Sequence, residues 1–228
     1  TIKGVIWYQG EGNSGRYQNY MKLMNGLIKN WRDEWGLGDF PFYFVQLAPN
    51  GSLGQGNGTS QAFLREAQLR TMLSVENTGM AVTLDIGSTI TNHPPEKLLI
   101  GKRLAYWALA KNYGFNGLPH SGPVYESMKV KNNKVYVNFK FAKNGVTSYG
   151  KPLSGFEIAG EDKIFYSAVA SIDPHWSAGW ENRSVLTLSN KNVPNPLYIR
   201  YGWKNYIEGA LYNVEGLPAS SFRSYDFD

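Results

Sequence analysis

Three times before Leu118 the chain passes from a short apolar run through a loop into a helical pattern. That succession constrains the fold most, because strand–helix units in series pack as a parallel, doubly wound sheet with right-handed crossovers. The first unit is Gly4-Val5-Ile6-Trp7-Tyr8-Gln9-Gly10-Glu11-Gly12-Asn13, followed by a helix. Its apolar stripe is Tyr17, Tyr20, Met21, Met24, Leu27, Ile28, Trp31 and Trp35, closed by Gly36 and Gly38. The second runs from Phe40 to Ala48, through a glycine-rich surface loop around Gly54–Gly58, into a helix from Ser60 to Leu73. The third strand is expected over Met80–Gly87 and the third helix over Glu96–Tyr113. That helix would turn Leu98, Leu99, Leu104, Trp107, Ala108 and Tyr113 toward the sheet.

After Gly117-Leu118-Pro119 the pattern shortens to alternation, in Met128-Lys129-Val130, Val135–Phe139, Phe156–Ala159, Val185–Leu188 and Leu197–Tyr201. Asn132-Asn133 separates two of these runs as a hairpin signal. The expectation is an α/β domain over residues 1–117 and a small antiparallel β domain packed against it over 118–228. The second would end in an irregular aromatic tail.

Composition removes several function classes. The net charge is +5, yet lysine and arginine are scattered with no basic run, which gives no support to a nucleic-acid partner. The chain has no cysteine, so disulfides, thiolate catalysis and Cys-ligated zinc are all excluded. No apolar run approaches the roughly 18–20 residues of a membrane span. No metal motif is present, and no cofactor is expected. An apolar strand at the very start leads to the expectation that sequence is missing upstream.

The first loop is dense in polar groups. Gln9, Glu11 and Asn13 surround two glycines at the carboxyl end of a parallel strand, where open α/β sheets hold ligands. From pattern alone, a glycine-rich connection capped by Asn13 or Ser14 is the simpler reading. Of the three histidines, His93 follows the third strand and precedes Pro94-Pro95, a placement suited to a general base. His120 lies at the expected domain junction, where a structural role fits, and His175 in a loop of the β half.

The ordered blocks Trp7–Asn13, Trp31-Arg32-x-x-Trp35, Asp39–Phe42, Val45–Leu47, Leu64–Gln68, Asn77–Thr83, Asp85–Gly87, His93-Pro94 and Arg103–Ala105 resemble the sialate O-acetylesterase group of SGNH hydrolases. So do Gly155–Gly160, Glu208-Gly209, Leu211–Asn213 and Glu215–Ser220. The resemblance implies a flavodoxin-like three-layer α/β/α fold and metal-free serine acyl transfer from O-acetylated sialic acids or plant polysaccharides such as xylan. It implies His93 as the base, Gly10 and Asn13 as oxyanion-hole donors, and Gln9 and Glu11 as pocket-shaping residues. It also implies export to the periplasm or medium.

Two departures stand out. No Gly-x-Ser-Asn nucleophile block occurs, and the serines, Ser14, Ser52, Ser60 and Ser88 among them, lie in other contexts. The first strands of the fold and their serine are therefore expected from a missing amino-terminal segment, a bound cleaved piece or a separate chain, while a second copy of the chain would cover the exposed sheet edge of an inactive product. Relatives also carry an acid two or three residues before the histidine, where Thr91 and Ile90 stand here. A serine–histidine dyad is the favoured expectation, with an approach by Asp85 or Glu11 the alternative. The competing functions are a carbohydrate-binding module using Trp176 and Trp180, or an inactive truncated esterase.

Overall fold

The computed structural model describes residues 2–174 and 184–226. His175, Trp176 and Trp180 lie outside the described residues. The chain divides into two compact units, Thr1–Ser121 with Lys204–Tyr206, and Gly122–Trp203 with Ile207–Asp228.

In the first unit, β1 (Val5–Trp7), α1 (Tyr20–Trp35), β2 (Phe42–Val45), α2 (Ser60–Ser74), β3 (Thr78–Ala81) and α3 (Lys97–Asn112) follow in order. The three strands form a parallel sheet in the order β1-β2-β3, with Val5 opposite Phe42 and Phe42 opposite Thr78. Every residue of β2 is buried, as a central parallel strand requires. Tyr43 and Val45 meet Ile100, Leu104 and Trp107 of α3, while Phe42 meets Trp7 and Trp31. Among the described residues β1 pairs with β2 alone, and its Ile6 is 70% exposed beside a hollow of about 280 Å³ that Val5, Pro41, Tyr43 and Ala108 also line.

The expected helices stand, but their faces are rotated from the apolar pattern. In α1 the buried residues are Tyr20, Met24, Ile28 and Arg32, spaced by four, whereas Trp35 is exposed. Arg32 continues the stripe because its guanidinium donates to the carbonyls of Phe40 (2.9 Å) and Glu76 (3.0 Å), holding the entries to β2 and β3. In α3 the buried face is Ile100, Arg103, Leu104 and Trp107, and the expected core residues Leu98 and Tyr113 are exposed. Neither Asn13 nor Ser14 caps α1; both fall within a 3₁₀ stretch, Glu11–Asn19, that precedes it. The third strand stops at Ala81, before the expected end at Gly87. The glycine-rich loop contains a 3₁₀ turn, Ser52–Asn57, bonded to the returning segment through Asn205 Nδ2 on the Gln55 carbonyl (2.9 Å).

The second unit contains β4 (Val124–Lys131), β5 (Lys134–Lys140), β6 (Val146–Thr147), β7 (Phe156–Ala159), β8 (Tyr166–Ser167), β9 (Val169–Pro174), β10 (Ser184–Ser189), β11 (Tyr198–Tyr201), β12 (Tyr212–Asn213) and β13 (Phe222–Arg223). They pair antiparallel in sheets of order β4-β5-β10-β9, β13-β11-β7-β8 and β12-β6. Asn132 and Asn133 both take positive φ (51° and 62°), the two-residue turn that joins β4 to β5.

Close packing explains Gly79 on β3, where a Cβ would lie 2.4 Å from the Trp107 ring and 2.8 Å from Tyr43. Gly79→Ala is expected to destabilise by about 2–3 kcal/mol. Gly101→Ala on α3, where a Cβ would meet nothing within 4 Å, should stabilise by about 0.5–1 kcal/mol. Urea unfolding of both variants checks the pair.

Candidate active site

The carboxyl ends of the three parallel strands lead to the residues singled out by sequence. Beyond β1, Gln9 Nε2 donates to Asn13 Oδ1 at 2.7 Å. The Asn13 backbone N–H closes the turn on the Gly10 carbonyl at 2.9 Å. Because the Asn13 side-chain oxygen is engaged, its amide Nδ2 is the end that remains to donate. Gly10 is buried against α2, where a Cβ would lie 3.2 Å from Leu64 and 3.3 Å from Gln68 Nε2. A hollow of about 220 Å³ opens beside this turn, lined by Trp7, Gln9, Asn13, Tyr20 and Leu27 among others. Glu11 starts the 3₁₀ stretch, and its carbonyl accepts from Ser14 Oγ at 3.0 Å.

His93 sits in the loop after β3, exposed, and that loop is built from short side-chain turns. Ser88 Oγ accepts from the N–H groups of Ile90 (3.2 Å) and Thr91 (3.3 Å), and Thr91 Oγ1 accepts from the His93 N–H at 3.1 Å. The loop is laced to the one after β2, since Ser88 N–H donates to the Pro49 carbonyl (3.0 Å) and Gly51 N–H to the Ser88 carbonyl (2.9 Å). Four residues after His93, Lys97 Nζ lies 5.0 Å from the centre of the Tyr8 ring. That cation–π contact joins the start of α3 to the residue before Gln9.

Among the described residues no side chain is hydrogen-bonded to the His93 ring. Asp85, one of the acids that sequence offered, is committed elsewhere. Its carboxylate takes both arms of the Arg103 guanidinium, at 2.8 and 2.7 Å, with both side chains almost fully buried. Arg103 also donates to the Val82 carbonyl at 2.7 Å, so this pair shapes the end of β3. The other histidine of the first unit, His120, packs edge-on against Trp107 with ring centres 4.6 Å apart, and Nδ1 lies 3.1 Å from the Leu118 carbonyl. Burial lowers its pKa, as suits a structural residue.

Sequence reasoning did not single out three polar residues that organise this region. Gln68, fully buried on α2, reaches Gln9, Val45 and Leu47. Asn205 Oδ1 accepts the Gln61 N–H at 2.9 Å, capping α2 from more than a hundred residues away. Arg65, buried on α2, donates to the carbonyls of Lys204 and Asn205; burial lowers its pKa to about 9, which leaves it charged at neutral pH. For Arg65 and Gln68 the signal was polarity inside a helix otherwise read as core, and for Asn205, outside any helix, there was none. No group of three histidine, aspartate or glutamate side chains among the described residues could hold a metal ion, and no described helix is long and apolar enough to cross a membrane.

A family model for carbohydrate esterases, described as sialic acid-specific acetylesterase, matches residues 1–109. The sialate O-acetylesterase of Pongo abelii is 32% identical over the whole chain. The chain resembles the sialic acid-specific acetylesterase family. The sialate O-acetylesterase of Mus musculus is 26% identical over 97% of the chain. The crystal structure of a carbohydrate acetylesterase from Xanthomonas citri superposes with a TM-score of 0.87 at 34% identity, covering 100% of the chain and 51% of that protein. The chain spans about half the length of the relatives it matches, 47% of the Pongo abelii protein and 44% of the Mus musculus protein.

Burial first, and the Glu11 carboxylate second, push the Tyr8 phenol up to about 12. The unfolded chain ionises this group near pH 10. Its contribution to stability is therefore complete below about pH 10 and is lost as pH rises through about 12. Tyr8→Phe should make unfolding free energy fall less steeply between those values, as measured by denaturant titrations across alkaline pH.

Proposed function

We propose that this chain is the base- and oxyanion-bearing part of a carbohydrate O-acetylesterase, acting on O-acetylated sialic acid or polysaccharide sugars. The serine comes from a segment outside these 228 residues, as a separate chain or a cleaved piece that stays bound. The observation that carries the reading is the Gln9–Asn13 turn, which holds its side-chain oxygen internally and leaves amide donors at the carboxyl end of a parallel strand. We read the architecture as the three-layer, flavodoxin-like SGNH fold with a small antiparallel β domain after it. Contacts of α3 with Tyr43 and Val45, and of α1 with Phe42, support that reading. The open edge of β1 is the place for the serine-bearing strand.

In this scheme the serine hydroxyl adds to the acetyl carbonyl while His93 takes its proton. The resulting oxyanion accepts from the Gly10 N–H and Asn13 Nδ2, donors whose loss costs roughly 3–4 kcal/mol of barrier in comparable sites. Collapse breaks the ester bond, and His93 returns the proton to the departing sugar oxygen. Water, deprotonated by the same ring, then adds to the acyl-serine, and collapse releases acetate as the ring returns its proton to the serine oxygen. The base works as a dyad member without a carboxylate behind it. Gln9 holds Asn13, while Glu11, expected to shape the same pocket, is not among the residues lining the hollow. Family resemblance alone supports a periplasmic or secreted location.

Aryl acetate hydrolysis tests the proposal, on the chain alone and with a serine-bearing amino-terminal segment supplied. His93→Ala should lower turnover by roughly 100-fold or more, and a serine-directed phosphonate should block it. Sugar binding that survives His93→Ala, with no turnover under either condition, would replace the esterase with a carbohydrate-binding module.

A further inference from the structure

The peptide joining Gln9 to Gly10 is gripped from one side. Its carbonyl accepts from the Tyr20 hydroxyl at 3.0 Å and from Gln68 Nε2 at 3.3 Å. Both side chains are buried, Tyr20 at 3% and Gln68 at 0% exposure. The Gln68 amide has one orientation. Leu47 N–H, 2.7 Å away, requires an oxygen acceptor, so Oε1 faces the end of β2. Nε2 must then face the carbonyls of Gln9 and Val45, each at 3.3 Å, and the Tyr20 hydroxyl at 3.4 Å.

A trans peptide points its C=O and N–H to opposite sides of the chain, and the described residues contain no cis bond. Drawing the Gln9 oxygen inward onto Gln68 and Tyr20 therefore turns the Gly10 N–H outward, away from α2. The Gly10 N–H has no acceptor among the described residues, whereas the Asn13 N–H of the same turn is consumed internally by the Gly10 carbonyl. The close approach of Gly10 to Gln68, with no room for an unhindered Cβ, keeps the peptide within reach of that grip.

We propose that Gln68, with Tyr20 as its partner, is a positioning residue that aims the Gly10 N–H at the carbonyl oxygen of a bound ester. Gln68 touches neither substrate nor reacting atoms. It acts through the Gln9–Gly10 peptide, making one donor of the oxyanion site rigid before substrate arrives, which is where such donors gain their effect. The acceptor's identity rests on the esterase reading above; the peptide's orientation rests on these hydrogen bonds alone.

Two variants separate this role from simple structural support. Gln68→Met keeps the length and loses both hydrogen-bonding functions, and Tyr20→Phe removes only the second grip on the Gln9 carbonyl. The residual dipolar coupling of the Gly10 N–H, which reports its direction, should change in both variants while those of Val45 and Leu64 stay fixed. Where the parent hydrolyses an aryl acetate, kcat should fall roughly 10- to 100-fold, with KM changed by less than about threefold. A Gly10 coupling unchanged in both folded variants overturns the positioning role. So does an activity loss matching only the fraction unfolded. A parent that stays inactive with the serine-bearing amino-terminal segment supplied overturns the esterase reading instead, and the Gly10 coupling still decides the orientation. If Gln68→Met does not fold, Tyr20→Phe decides by the same criteria.

Discussion

One buried amide, that of Gln68, ties together the ends of two parallel strands and the start of the first helix. Its oxygen meets the Leu47 N–H beyond β2, while its nitrogen meets the carbonyls of Val45 and Gln9. Each of these backbone groups leaves a strand end, where sheet pairing has stopped and water is excluded. An unpaired buried polar group there would cost about 1–3 kcal/mol. A glutamine is well suited because it supplies donor and acceptor on one planar group. The geometry of the candidate site follows from that constraint, since the Gln9–Asn13 turn grows directly from the peptide Gln68 holds.

The same logic recurs along the carboxyl ends of the strands. Arg103 satisfies the Val82 carbonyl and pairs with Asp85, which fixes how the chain leaves β3 toward the histidine loop. A buried pair of this kind is a modest source of stability but a strict source of geometry, because removing either partner strands a charge. Asn205 returns from far along the chain to cap α2, and Arg65 on that helix holds the carbonyls of the returning segment. The platform behind the turn is therefore fastened by polar groups at its ends and by Leu64, Phe44 and other apolar side chains within.

The strand–helix alternation was legible in the sequence because apolar runs and helical stripes are periodic, and the Asn132-Asn133 hairpin because few dipeptides accept two positive φ values. Helix faces were less legible. Arg32 and Arg103 sit where the pattern called for apolar residues, since each guanidinium reaches past the helix to backbone carbonyls that composition does not reveal. Leu98 and Tyr113 are apolar yet exposed. At the candidate site, Gln9, Gly10 and Asn13 were legible as a polar, glycine-rich strand end. What holds them was not, because Gln68 and Tyr20 are distant in sequence and look like ordinary helix residues. The role of Asp85 was also hidden, as its partner Arg103 lies on the following helix.

Oxyanion binding at this site requires the Gly10 N–H and the Asn13 side-chain amide to be outward donors in one rigid turn, ready for a negatively charged oxygen. Titrating the isotope-labelled chain with acetate, the small product of ester cleavage, and following its amide resonances tests this most directly. The Gly10 N–H and Asn13 Nδ2 signals should move together and saturate along one binding curve. Resonances that stay still there, or shifts spread over the surface lysines, would contradict the account.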